Sequence, residues 1–150
     1  MAQDVSGFGT VLTLSASNTF PTGFRISQFA DDADPIDFPA IAINASAMGL
    51  NGDLITWSKA SEIKASVSVI EGSEDDVNLS ILMEANRVGR GKVSAGDDLV
   101  LTVVYPSGKT LTLNPGKLLQ GQPGPSVASA GRLKTKKYEF AFENKTETFV

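Results

Sequence analysis

Apolar and polar residues alternate through most of this chain. In VLTLSAS, Leu12, Leu14 and Ala16 share one face while Thr13, Ser15 and Ser17 share the other, which predicts a half-buried strand over about 10–17. EIKASVSVIEG sets Ile63, Ala65, Val67 and Val69 against Glu62, Lys64, Ser66 and Ser68, and predicts another over 62–70. LVLTVVYPSGKTLTL, residues 99–113, reads as a hairpin turning at Pro106-Ser107-Gly108, with Leu99, Leu101, Val103, Leu111 and Leu113 inward. Shorter strands are predicted at 23–30 and 54–57.

SEDDVNLSILMEANRVG breaks the alternation and carries helix signals at both ends. Ser73 and Asp76 resemble a capping box, and Glu74 and Asp75 suit the positive end of a helix dipole. Arg87 and Arg90 suit the other end, and Gly89 can adopt the left-handed conformation that stops a helix. The expected helix spans about 74–88. Val77, Ile81, Ala85 and Val88 fall on one face, and Leu79, Leu82 and Met83 cover much of the rest, leaving a narrow polar stripe of Ser80, Glu84 and Arg87. Such a helix either lies in a deep groove of its own fold or is covered by a second protein.

Two long segments show neither period. Residues 30–53 combine aspartates, prolines and an apolar run, too apolar for a solvated linker and too long for a structureless loop. They read as an extended arm, with Ile36, Phe38, Ile41 and Ile43 seeking a surface. Residues 120–130, QGQPGPSVASA, read as a Gly/Pro/Ser loop.

The composition narrows the chemistry. With 150 residues, 41% hydrophobic and 20% charged, the chain fits one globular domain, residues 1–150, with a real core. No apolar run approaches the roughly 20 residues of a membrane-spanning helix, so no membrane insertion is expected. The start, MAQDVSGFGT, has no visible secretory signal, which points to folding in a cytoplasm. The absence of cysteine and histidine removes disulfides, thiolate nucleophiles and the commonest general base and metal ligand. No cofactor or metal is expected.

The candidate chemical motifs are weak. Asp31, Asp32, Asp34 and Asp37 cluster as calcium ligands can, but a twelve-residue loop of the EF-hand kind would need Gly where Ile36 stands and Glu where Ala42 stands. A solvated or partner-facing acidic loop fits better. Gly89-Arg90-Gly91-Lys92 lacks the spacing of a phosphate loop and reads as a helix stop with a basic turn. The acidic residues form no acid/base motif, so an enzyme is not expected.

GRLKTKKYEFAFE, residues 131–143, is different. At strand period one face runs Arg132, Lys134, Lys136 and then Tyr138, Phe140, Phe142, in a chain whose net charge is −4. A nucleic-acid site would interleave cations with aromatics. Here the aromatics follow the cations, as in a strand that enters its core halfway along. The cationic half then meets either acidic groups such as the aspartates of 31–37 or Glu74–Asp76 of a neighbouring copy, or solvent at a protected edge.

Taken together, DDADPIDFP, MGLNGDLITWSKASEI, GSEDDVNLSILMEANRVGRGK and SVASAGRLKTKKYEFAFEN resemble the tail tube subunits of bacteriophages with contractile tails, over most of the chain and in order. The resemblance implies a mainly β fold, a β-sandwich or small β-barrel with one α-helix and extended loops. It implies hexameric rings whose inner sheets join into one barrel, stacked into the tube through which double-stranded DNA leaves the capsid. Related tubes serve type VI secretion, pyocins and long noncontractile tails. The implied place is the virion tail, assembled in the host bacterial cytoplasm, and the implied partners are other copies and sheath, baseplate and tail terminator proteins. The subunit interface is then expected to draw on Asp31, Asp32, Asp34, Asp37, Ile41, Ile43, Leu79, Met83, Arg132, Lys134 and Lys136. The lumen is expected to be lined by Thr13, Ser15, Ser17, Glu62, Lys64, Ser66 and Ser68, small or charged groups that do not hold DNA in an acidic protein. The alternative is a monomeric or trimeric decoration or baseplate component with a similar sandwich.

Overall fold

The hairpin predicted at 99–113 is the centre of the fold. Strand β7 (Leu99–Val104) turns through Pro106–Gly108 into β8 (Thr110–Gly121), and Gly108 takes the positive φ of 93° that the turn needs. In the computed structural model, which describes residues 7, 9–29 and 34–148, the other strands add outward from this pair. On one side β1 (Val11–Ala16) pairs with β7, and β2 (Phe20–Ile26) forms the edge. On the other, β9 (Lys136–Thr148) pairs with β8, β6 (Ile63–Val69) with β9, and the short β3 (Ile36–Asp37) with β6. The sheet is antiparallel throughout, in the order β2-β1-β7-β8-β9-β6-β3, and curls into a half-barrel. The protein is mainly β with one short helix, as the sequence predicts.

The alternation explains the curl. Leu12, Leu14, Leu101, Leu113, Phe140 and Val67 all lie on the concave face and are fully buried. The five inward residues predicted for the β7–β8 hairpin are all in the core. On the opposite face the register places Thr13 beside Thr102, Thr102 beside Thr112 and Thr112 beside Thr146, a row of hydroxyls across β1, β7, β8 and β9.

Helix α1 (Glu74–Asn86) packs into the concavity. Ser73 caps it by accepting from the Asp76 N–H at 3.2 Å, and the Asp76 carboxylate accepts from the Gly72 N–H at 3.0 Å. The C-terminal expectation is corrected. The helix stops at Asn86, Arg87 is extended, and Gly91, not Gly89, takes positive φ. The Lys92 ammonium reaches back to the Arg87 carbonyl at 2.6 Å and to that of Glu84, satisfying acceptors that a helix end leaves open.

The facing of the helix is corrected too. Leu79 and Leu82 are completely buried, whereas Val77 and Ile81 are half exposed and Val88 more so. The inward face also carries Asp75 and Asp76, both buried. The carboxylate of Asp75 accepts from the Ser27 and Gln28 N–H groups, each at 2.7 Å. Buried acids that close hydrogen bonds to the body set the rotation of the helix, and an apolar-only pattern misses them.

The arm expected over 30–53 divides. Ile36 and Asp37 extend the sheet edge, and Phe38 packs on the core. Beyond it, β4 (Asn44–Met48) and β5 (Leu54–Ser58) form a separate two-stranded hairpin, from Asn44 opposite Ser58 to Met48 opposite Leu54. Its turn is closed by Gly49 N–H to Asp53 O at 2.7 Å and Gly52 N–H to Gly49 O at 2.9 Å, with Gly52 at φ 87°. No side chain of this hairpin belongs to the core cluster or packs against it.

Candidate functional site

The hairpin carries several exposed large apolar side chains. Leu50 at the tip is fully exposed, Met48, Leu54 and Ile43 are about two-thirds exposed, and Ile55 and Trp57 about half. Met48 and Leu54 share one face of the hairpin and Ile55 and Trp57 the other; isolated apolar residues on a surface need no explanation, whereas several on one element make it a candidate for contact. The strands run only five residues each, and a lone two-stranded hairpin is marginal in water.

The root of the hairpin is tied down. The Lys59 N–H donates to the Ile43 carbonyl at 2.9 Å, and the Ser61 hydroxyl donates to the Ala42 carbonyl. On one side of the root Ala60, Ser61 and Glu62 border an open groove of ≈ 640 Å³, closed opposite by Pro115, Leu119 and Phe142. On the other side the same three residues border a second hollow of ≈ 570 Å³ with Ile41, Lys59 and Lys64.

The structure sorts the expected interface residues. Asp31 and Asp32 lie outside the described residues. Asp34, Asp37, Ile41, Ile43, Arg132 and Lys134 are exposed and stand on the arm or the loop before β9. Leu79 is corrected, since it lies in the subunit's own core. Met83 is partly buried beside β8, where a Cβ added to Gly121 would come within 2.7 Å of its sulfur.

Lys136 is the clearest correction. It is only 6% exposed, and its ammonium lies 3.4 Å from the carboxylate of Asp76 in the same chain. The Tyr138 hydroxyl donates to that carboxylate at 2.9 Å and is 2.9 Å from the Ser80 hydroxyl. Burial, with the Asp76 charge, raises the Tyr138 pKa well above the ordinary phenol value, although the Ser80 contact opposes this. The tyrosine therefore stays protonated and serves as a donor. The change from cation to aromatic along residues 132–142 thus has a local cause. β9 enters the core at Lys136, and the buried helix terminus supplies its counter-charge. Arg132 and Lys134 precede the strand, in a loop pinned by Lys134 N–H to Ser126 O at 2.7 Å.

Among the expected lumen residues, Thr13 and Ser17 are exposed and Ser15 partly so, and the Ser17 hydroxyl accepts from the Asp98 N–H at 3.1 Å. Glu62 and Lys64 are exposed and pair with each other at 3.4 Å. Ser66 and Ser68 are not accessible hydroxyls, being 7% and 5% exposed within the subunit.

A third buried acid, Asp97, is not read from the sequence. Asp97 accepts from the Thr19 hydroxyl, the Asn18 and Thr19 N–H groups at 2.7 and 3.0 Å, and the Asn86 amide at 2.9 Å. Burial pushes its pKa up, but these donors outweigh burial and hold it below the usual carboxylate value. It joins the β1–β2 turn, the end of α1 and the start of β7. Among the described residues, no group of three or more acidic, histidine or cysteine side chains is placed to hold a metal ion.

These features describe surfaces for contact. Residues 3–146 match the family described as tail fiber protein gp32. The chain belongs to that family. No curated protein matches the sequence. The gp32-family fold is shared with chains of contractile injection particles. A chain in the anti-feeding prophage cap, the tube-terminating cap, aligns with TM-score 0.59 over 100% of this chain and 94% of its own, at 9% identity. A chain in the anti-feeding prophage baseplate aligns with TM-score 0.59 over 100% and 99%, at 10% identity. A chain in the sheath–tube complex of an extracellular contractile injection system, PVC, in its extended state aligns with TM-score 0.55 over 93% and 88%, at 9% identity.

Proposed function

We propose that this gp32-family chain is a non-enzymatic tail tube subunit that assembles with itself into hexameric rings stacked as a conduit for double-stranded DNA. The observation that carries this reading is the β4–β5 hairpin, apolar, projecting and without a core of its own. A half-barrel sheet with two open edges, β2 and β3, supports it, since open strand edges call for pairing or cover. The threonine row offers a face of short neutral side chains, which together with a net charge of −4 gives phosphates little to hold. In this reading the protein resides in the virion tail after assembly in the host cytoplasm, meets sheath, baseplate and terminator proteins, and needs no cofactor. Thr13 and its row, with Glu62 and Lys64, face the bore, and Arg132, Lys134, Asp34 and Asp37 meet neighbouring copies.

A second reading follows from the family's description, a tail fiber component, taken with the trimeric association that the sequence leaves as an alternative. Size-exclusion chromatography with negative-stain imaging of the purified chain separates the two. Six-fold rings or tubes support the conduit; elongated trimers support the fiber; a stable monomer at high concentration refutes both.

A further inference from the structure

We infer that Asn51, in the exposed turn of the β4–β5 hairpin, is a self-modification site that converts to aspartate and isoaspartate when the turn opens. The reaction does not depend on the assembly proposed above. Of the seven asparagines only Asn51 precedes a glycine, the residue whose missing side chain leaves its backbone nitrogen least shielded. Asn51 and Gly52 are both exposed, and nothing lies within 4 Å of the place a Cβ on Gly52 would take. Among the described residues no hydrogen bond holds the Asn51 amide. By contrast the Asn18 amide donates to the Ala95 carbonyl at 2.8 Å, and the Asn86 amide to that of Leu82 at 2.9 Å.

In the closed turn the nucleophile is occupied, because the Gly52 N–H donates to the Gly49 carbonyl at 2.9 Å. The hairpin backs onto no core and a lone pair of strands is marginal in water, so this bond opens more readily than those of the body. Once it is open, the Gly52 nitrogen gives up its proton to base and attacks the side-chain carbonyl carbon of Asn51. A bond forms between them, the bond from that carbon to the amide nitrogen breaks, and ammonia leaves. Water then opens the cyclic imide at either carbonyl, giving aspartate or isoaspartate. Solvent supplies every other reactant. The product sets a second carboxylate two residues from Asp53, the one charged residue of segment 44–58. Isoaspartate also routes the main chain through the side-chain carbon, which lengthens a turn that now brings Met48 opposite Leu54.

The test is a timed incubation of the purified chain in mildly alkaline buffer, folded and in denaturant, read by peptide mass spectrometry and by enzymatic methylation of isoaspartate. In the folded chain, acid should accumulate at Asn51 at least about tenfold faster than at Asn18 or Asn86, a factor that corresponds to about 1.4 kcal/mol in opening free energy. In denaturant Asn51 should convert faster still, because the Gly52 nitrogen is then never held. Asn51→Gln, at an exposed position, should keep the circular dichroism spectrum of the parent and lose the isoaspartate signal. No conversion in the folded chain over the time in which the unfolded chain converts completely overturns the site. Equal rates in the two states overturn the control by the turn bond. Conversion at Asn18 or Asn86 as fast as at Asn51 means that the hairpin opens no more readily than the body, and overturns the inference.

Discussion

The half-barrel and the β4–β5 hairpin use apolar residues in opposite ways. In the half-barrel the alternate apolar side chains of β1, β7 and β9, from Leu12 and Leu101 to Phe140, point into one core that α1 closes. In the hairpin Met48, Leu50, Leu54, Ile55 and Trp57 all point to solvent. Both are antiparallel pairs joined by turns that use glycine at positive φ, so local conformation does not separate them. The difference is what each backs onto. The body contains its own partner surface, and the hairpin has none. Residues of the same chemical type therefore report on folding in one region and, in the proposed assembly, on association in the other.

Mutation should expose that division, beginning with the largest loss of folded-state stability. Phe140 is fully buried and stacks on Phe142 at 6.2 Å between ring centroids, so Phe140→Ala should destabilise the subunit by about 3–5 kcal/mol in denaturant unfolding. A loss below about 1 kcal/mol would mean that the half-barrel is not the folding core. Lys136→Ala should follow closely, at about 3 kcal/mol, because it strands the Asp76 charge in the interior. Lys134→Ala, in the exposed loop two residues earlier, should change stability by no more than about 0.5 kcal/mol. Equal losses at 134 and 136 would remove the boundary at which β9 enters the core.

That boundary shows how much was legible in the sequence. Strict alternation placed β1, β6, β7 and the first part of β8 correctly, because period two over an apolar face has one physical reading. The helix was legible in its start and capping but not in its stop or its rotation, since Asp75 and Asp76 face inward and no apolar count registers a buried carboxylate. Lys136 was misread for the same reason. On a strand a cation signals solvent or a partner, and its partner lay sixty residues earlier on the helix terminus. The hairpin was missed because Asn44, Ala45, Ser46 and Ala47 carry no apolar alternation, and only Leu54–Trp57 hinted at a strand. Its apolar side chains back onto no core, and a pattern rule written for cores has nothing to match there. Of the expected site, Ile41, Ile43 and Lys134 were found exposed, whereas Leu79, Lys136, Ser66 and Ser68 belong to the subunit's interior.

Smaller effects come from the polar contacts that position the helix. Tyr138→Phe removes the hydroxyl between Asp76 and Ser80 and should cost about 1–2 kcal/mol while leaving the fold intact. Asp97 adds a pH signature. Its folded-state pKa lies below the unfolded value of about 3.9, so its contribution is full above that value and is lost as pH falls through the folded pKa. Asp97→Asn should be less stable than the parent at pH 7 by about 1 kcal/mol, and the gap should narrow as pH falls below the ordinary carboxylate range. A gap that stays constant with pH would mean that the Thr19 and Asn86 contacts do not stabilise the charged form.

The smallest change in folding and the most specific change in behaviour are expected from the same substitution in the hairpin. Leu50 is fully exposed in the subunit, so Leu50→Ser removes no buried contact and should shift the unfolding free energy by less than about 0.5 kcal/mol. In an assembly that buries this tip, the same change deletes a leucine side chain worth about 1.5–3 kcal/mol of burial at each contact, which should raise the concentration needed for assembly by roughly tenfold or more. Analytical ultracentrifugation against protein concentration measures that shift directly. Unchanged assembly with unchanged stability would mean that the tip is idle in both states, and the contrast between the body and the hairpin would lose its functional meaning.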